Sequence, residues 1–344
     1  MSSHKIFSVV GPTAVGKTSV ALFLANYFLQ QAEIKKQKNP RVHLISADSR
    51  QVYRGLEILT GADVPEEFIQ KKTDLFTYPY FQNGQILLHG IGVVSPTEDW
   101  SVANFQELAL PIIDAAQKAD EVVILVGGTG LYHDHLFSND PILRIAPNSD
   151  IRSEAANRSI SELQEWLERI NPDKFSKLNQ SDRNNARRLI RAIEVASTPV
   201  RQDFQILVPE DFHHIYFGIS APIELVSEKI SERVRHRFEA ASKEVSQILS
   251  RQTESDQSGE SVQITKPART SLGFAQLAAY LTDQLNREQT IELWALRETQ
   301  YAKRQLTWWK KRQEINWIDI QQNNWQNQLV EKVEKLLAAK PEIN

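Results

Sequence analysis

The sequence predicts an α/β fold, a parallel sheet flanked by helices and interrupted in mid-chain by a helical insertion. Three observations carry this. Gly11-Pro12-Thr13-Ala14-Val15-Gly16-Lys17-Thr18 is a full match to the phosphate-loop pattern G-x-x-x-x-G-K-[ST], and it stands between a short apolar run at 5–10 and an apolar helical stretch at 19–31. Further strand-like runs at 42–46, 121–126, 215–219 and 315–319 are separated by helical stretches, the rhythm of a βαβ sheet. From about 139 to 209 the composition shifts to charged helical segments, punctuated by Asp140-Pro141, Ala146-Pro147, Asn171-Pro172 and Thr198-Pro199. Together these give a P-loop NTPase-like core domain at 1–138 and 210–344 and a helical insertion domain at 139–209.

The 344 residues, 41% of them hydrophobic, suffice for one large core or two smaller ones. A formal net charge of −3 gives no whole-protein attraction to nucleic acid, so such a partner must be met by local basic surfaces. The absence of cysteine excludes a disulfide framework, a thiolate zinc site and a cysteine nucleophile. The chain enters its first strand without a signal-type segment and holds no apolar run of membrane-span length, so a cytoplasmic protein with no membrane partner is expected, and a monomer.

In chain order, Gly11 and Gly16 let the backbone fold round a diphosphate. Amide N–H groups and the helix N-terminus then face it, Lys17 adds positive charge and Thr18 offers a hydroxyl to Mg²⁺. Asp48 follows the strand at 42–46. An acid there lies on the ligand-binding edge of a doubly wound sheet, or else caps a turn. The apolar run 85–94, with Gly84, Gly90 and Gly92 in or beside it, suggests a small hairpin, and Ser101 is a cap for the helix that follows. The strand at 121–126 ends in Gly127-Gly128-Thr129 rather than in the acid that helps an ATP-hydrolysing P-loop protein hold Mg²⁺, which counts against a motor or GTPase. Thr129 is open to two readings, a site residue or a helix cap. His133 and His135 cannot share a metal ion on a helix, because positions i and i+2 point about 200° apart; His213 and His214, just before a strand, fare no better.

Two stretches are basic. Arg183, Arg187 and Arg191 fall at i, i+4 and i+8, with Arg188 beside them and no acid between Asp182 and Glu194; they form either a solvated face or a phosphate-contacting one. Arg297, Lys303, Arg304, Lys310, Lys311 and Arg312 are interleaved with Tyr301, Trp308 and Trp309, which suits RNA phosphates and exposed bases or an amphipathic helix with core tryptophans. Residues 253–260 read as a polar loop, and a helix begins around Leu272 to Gln276.

The motifs taken together resemble the tRNA dimethylallyltransferases. They are the P-loop; Ser46-Ala47-Asp48-Ser49-Arg50-Gln51-Val52-Tyr53; Thr60-Gly61-Ala62; Ser95-Pro96-Thr97-Glu98 with 101–105; Val126 to Tyr132; Arg188 to Val195; and Thr299 to Trp308. The resemblance implies that the P-loop grips dimethylallyl diphosphate, and that the prenyl group passes to N6 of the adenosine 3′ of the tRNA anticodon (position 37). It implies Asp48 as general base, with Thr129 positioning the reacting centre. It implies tRNA contacts from Asp48, Ser49, Arg50, Gln51, Arg152, Arg187, Arg188, Leu189, Ile190 and Arg191; Lys303 and Arg304, in the second basic stretch, are tRNA-binding candidates as well. Gly273-Phe274-Ala275-Gln276 departs from the family's Gly-Tyr-[Arg/Lys]-[Glu/Gln], and Arg269 is the nearest candidate for a displaced diphosphate-binding arginine. The competing readings are a nucleoside or nucleotide kinase with an arginine-rich lid, an adenylate isopentenyltransferase acting on free AMP, and an RNA-binding module without chemistry.

Overall fold

The computed structural model describes residues 4–62, 64–199, 212–253 and 263–338. Of the polar segment expected at 253–260, all but Thr253 lies outside them. The chain divides into two compact units, Met1–Leu136 with Val208–Asn344, and Phe137–Leu207.

In chain order the first part of the larger unit comprises β1 (His4–Val10), α1 (Lys17–Ile34), β2 (Val42–Ser46), α2 (Glu57–Thr60), β3 (Ile69–Lys71), β4 (Tyr80–Asn83), β5 (Ile86–His89), α3 (Val102–Lys118), β6 (Val122–Val126) and α4 (Gly130–His135). The smaller unit holds α5 (Ser149–Ala155), α6 (Ile160–Ile170), α7 (Pro172–Ser176), α8 (Gln180–Arg183) and α9 (Ala186–Ala196). The larger unit resumes with β7 (Phe212–Ser220), α10 (Ile223–Thr253), α11 (Lys266–Arg269), α12 (Phe274–Leu281), α13 (Arg287–Trp309), β8 (Ile315–Asp319) and α14 (Trp325–Ala338).

The eight strands form one sheet in the order β3-β4-β5-β2-β6-β1-β7-β8. From β5 to β8 every pairing is parallel, while β3 and β4 add an antiparallel edge. Strands buried on both faces read as continuous apolar runs, as β6 does, buried at all but Val122; β2 is buried throughout although it includes His43 and Ser46. Helix α1 presents Val20, Ala21, Leu24, Ala25, Phe28 and Ala32 as its buried face and packs on β1, β2 and β6. Helix α3 opens with a capping box, Ser101 with Asn104, and buries a stripe including Val102, Phe105, Leu108 and Ile112.

Two expectations need correction here. The hairpin expected at 85–94 is built instead from β4 and β5, turning at Gly84; β5 is buried throughout, so its apolar run is one interior strand rather than two arms. His213 and His214 lie inside β7 rather than before it, because β7 pairs with the full length of β1, from His4 opposite Phe212 to Val10 opposite Gly218.

The smaller unit packs around Ala155, Leu163, Leu167, Leu189, Ala192 and Ile193. Asparagine or serine side chains start its helices: Asn148, Ser159, Asn171, Asn179 and Asn185 each accept a backbone N–H of the first turn.

Candidate active site

Strand order places the P-loop after β1, Gly127 to Thr129 after β6, and Asp48 after β2, at the C-terminal ends of three adjacent strands. Main-chain bonds lock these ends together: Ala47 N donates to Val126 O (2.8 Å), Gly127 N to Val9 O (3.2 Å) and Thr129 N to Ala47 O (3.2 Å). A parallel α/β sheet binds its ligands on this edge.

Within the P-loop, Gly16 takes the left-handed conformation (φ 86°, ψ 27°) and leads directly into α1. No side chain caps α1 and no acid stands in its first turn, so its leading N–H groups remain available to an anion. The Lys17 ammonium rests on the Pro12 carbonyl at 2.7 Å. The Thr18 hydroxyl has no hydrogen-bond partner among the described residues, and an oxygen donor beside bound phosphates fits Mg²⁺, which takes few protein ligands. Among the described residues no cluster of three or more His, Cys, Asp or Glu could hold a metal by itself.

Asp48 is half-buried. Its Oδ1 accepts the Arg50 N–H at 2.9 Å, while Oδ2 has no hydrogen-bond partner among the described residues. The turn-capping reading is thus met by one oxygen, leaving the other for chemistry. Thr129 stands at the N-cap position of α4 yet makes no capping bond; its Oγ1 accepts the Ser49 N–H at 3.2 Å instead, which ties the β6 end to the Asp48 loop. Arg50 donates to the Pro267 carbonyl, and Gln51 bridges Ser46 Oγ (2.7 Å) and the Gly61 carbonyl (3.0 Å). Two phenols face Asp48. Burial first, and the Asp48 carboxylate second, push the hydroxyls of Tyr132 and Tyr301 well above the usual tyrosine range, so both stay protonated.

Helix α13 closes the other side. Its exposed residues include Lys303 and Arg304, whereas Gln305 and Trp309 are buried, and Trp308 is 42% exposed. Gln305 Oε1 accepts the Thr13 N–H at 2.8 Å. From α10, Arg233 donates to the Thr13 hydroxyl (2.8 Å) and to Glu298 of α13 (2.7 Å); Glu298 also pairs with Arg237 and accepts Trp294 Nε1 (2.8 Å). Arg233 is thus bonded to the P-loop, and Arg269 is exposed at the end of α11. Sequence reasoning missed Arg233 and Glu298, and it gave no site role to Gln305 although both Gln305 and Tyr301 lie in the Thr299 to Trp308 motif. A further signal was the spacing of Glu298 and Gln305, seven residues apart and so on one face of α13.

The arginines of the smaller unit correct another expectation. Asn184 and Asn185 separate α8 from α9, so Arg183 does not share a helical face with Arg187 and Arg191. Nor are the arginines without acids: Arg188 pairs with Asp182, and Arg191 (3.1 Å) and Arg152 (2.7 Å) both pair with the buried Glu194. Arg183 donates to the Leu178, Phe175 and Ser176 carbonyls. Arg187 is exposed and has no ion pair among the described residues, Ile190 is partly buried, and Leu189 is core.

His133 and His214 are structural. Ser8 Oγ bonds His133 Nδ1 (3.2 Å) and His214 Nε2 (2.6 Å), and His214 Nδ1 meets the Tyr216 hydroxyl at 2.8 Å. Among the described residues no helix is long and apolar enough to cross a membrane.

A phosphate-binding loop on the C-terminal edge of a parallel sheet, faced by a carboxylate and a threonine from the two neighbouring strands, defines a P-loop protein of the α/β class. The model of the IPP transferase family matches residues 51–312, and the chain belongs to that family. It is similar to the tRNA dimethylallyltransferase of Thermomicrobium roseum, 30% identical over 339 residues that span 96% of this chain and 91% of the relative. The crystal structure of the full-length tRNA isopentenylpyrophosphate transferase from Bacillus halodurans superposes with a TM-score of 0.60 at 26% identity, over 96% of this chain and 97% of that one. A eukaryotic dimethylallyltransferase crystallised acting on tRNA shares the fold, with a TM-score of 0.68 at 20% identity over 99% of this chain and 81% of that one.

Proposed function

We propose that this protein is a tRNA dimethylallyltransferase, moving the dimethylallyl group of dimethylallyl diphosphate to N6 of the adenosine 3′ of the anticodon (position 37), with N6-isopentenyladenosine and diphosphate as products. The observation that carries the reading is the unengaged Oδ2 of Asp48, set on the strand end beside Thr129 and the P-loop. The exocyclic amine is a weak nucleophile because its lone pair is delocalised into the ring. Asp48 takes the N6 proton as nitrogen bonds to the first prenyl carbon, and the carbon–oxygen bond breaks with its electron pair leaving on the diphosphate. A positioned base of this kind contributes typically about 10²- to 10⁴-fold.

Lys17 and the N–H groups of the loop and of α1 stabilise the charge that gathers on the diphosphate. Mg²⁺ held through Thr18 supplies further charge neutralisation when bound. Thr129, fixed by the Ser49 N–H, and the neutral phenols of Tyr132 and Tyr301 shape the space in front of Asp48. Extruding the target base from the anticodon loop is how a protein reaches such an atom. Arg50, Arg187, Lys303 and Arg304 meet the RNA, while Arg152, Arg188 and Arg191 first shape the smaller unit through their acids.

Incubation with labelled dimethylallyl diphosphate and unmodified tRNA, followed by nuclease digestion, should yield labelled prenyladenosine from the position next to the anticodon. Label in free AMP instead, or ADP formed from ATP, would replace the proposal by an adenylate isopentenyltransferase or a kinase.

A further inference from the structure

The orientation of the Gln305 carboxamide is fixed by its partner. A backbone N–H can only donate, so the atom that meets Thr13 N at 2.8 Å is Oε1 and the opposite end of the amide is Nε2. The Gln305 side chain is only 5% exposed, yet Nε2 has no hydrogen-bond partner among the described residues. It lies against Gly128, where an added Cβ would come within 2.0 Å of Nε2 and 3.1 Å of the Gly11 carbonyl oxygen. Two amide N–H donors thus face a slot between the first glycine of the P-loop and the glycines that end β6, where they keep some contact with solvent. The slot opens on a loop built for anions, so the acceptor that suits it is an oxygen of the bound anion.

We infer that Gln305 Nε2 donates a hydrogen bond to a diphosphate oxygen held in the P-loop, making Gln305 a donor-substrate ligand as well as a brace for Thr13. The inference rests on the proposed function in taking a prenyl diphosphate as the occupant. A neutral donor at this place adds no fixed charge, and its bond strengthens as the carbon–oxygen bond breaks and charge builds on the leaving group. The glycine at 128 follows from the same contact, since any side chain there would occupy the space of the amide.

The test is a titration of inorganic diphosphate in the absence of tRNA, each variant being compared with the wild type at the same pH. Gln305→Leu, which keeps the volume and removes the amide, should weaken diphosphate binding about tenfold, in line with the loss of a hydrogen bond to a charged group. Gln305→Met serves the same purpose should the branched side chain lower the melting temperature. Gln305→Glu keeps an acceptor for Thr13 N–H but presents a negative charge; it should bind diphosphate still more weakly at pH 8 and recover toward pH 5, where a protonated carboxyl can donate. Wild-type diphosphate affinity in the leucine and methionine variants would overturn the inference. So would full affinity of Gln305→Glu at pH 8, because bracing Thr13 would then suffice, and so would a raised tRNA KM with unaltered diphosphate binding, which would assign the donors to the base. A protein that depends on Gln305 for diphosphate binding but transfers no prenyl group would support this contact and sink the transferase reading.

Discussion

Arg233 of α10 donates from one Nη2 to both the Thr13 hydroxyl (2.8 Å) and the Glu298 carboxylate (2.7 Å), so an acid of α13 steadies the P-loop through an arginine of another helix. Glu298 also neutralises Arg237, which is 7% exposed. Glu298→Gln would remove the buried carboxylate that Arg233 and the buried Arg237 share. It should lower the unfolding free energy by about 3–5 kcal/mol, the range for breaking a buried pair from one side. Denaturant unfolding measures this, and a loss within the 0–1 kcal/mol of a surface pair would show the cluster to be solvated.

Asp48→Asn keeps the shape of the side chain and the acceptor for Arg50 N–H but removes the base. Turnover at saturating substrates should fall by at least about 10²-fold with tRNA affinity retained. Lost affinity with unchanged turnover would make Asp48 a binding residue.

Lys17→Ala removes the ammonium that lies across the P-loop at Pro12. Dimethylallyl diphosphate binding should be largely abolished, with the circular dichroism spectrum and melting temperature unchanged. Normal donor affinity would mean that the backbone N–H groups suffice without the lysine.

Arg187 and Arg191 should behave differently although they lie four residues apart. Arg187 is exposed and has no acid partner among the described residues, so Arg187→Gln should reduce the magnitude of the log–log salt slope of tRNA binding by about 0.7, the value for one phosphate contact on a single strand, without changing stability. Arg191 holds the buried Glu194, so Arg191→Gln should destabilise the smaller unit by about 1–3 kcal/mol. Equal effects on stability from the two variants would refute the distinction.

Stability should fall below pH 6.5. Burial lowers the imidazoles of His89 and His133 well below their ordinary value and that of His214 to about 3. They stay neutral in the folded chain while the unfolded chain takes up protons. Their stabilisation is full above pH 6.5 and declines as the pH drops toward the folded values, by up to about 1.4 kcal/mol per pH unit for each. Urea unfolding at several pH values between 7 and 5 measures the slope, and a flat profile would mean that these histidines are reached by water.

Much of this arrangement was legible in the sequence where local chemistry dictates it. The P-loop motif located the turn between β1 and α1, and largely apolar runs located β1, β2, β6 and β8 to within a residue or two. Strand β3 left no such trace, since Ile69, Gln70 and Lys71 are all exposed. The break between α8 and α9 was present in Asn184-Asn185, a capping signal outweighed by the regular spacing of the arginines. Arg233 and Glu298 were illegible for another reason: each sits on a charged helix where solvent exposure is the default, and only the tertiary approach of α10 to α13 turns them into a partly buried pair.

The position of β1 in the sheet has a consequence for synthesis. One flank of β1 is completed by β6, but the other waits for β7, which begins at Phe212. About 200 residues therefore leave the ribosome between β1 and its second neighbour, an interval of about 10–40 s at usual elongation rates. From the emergence of β6, which ends at Val126, until that of β7, the nascent sheet exposes the β1 edge, open to any strand that can reach it.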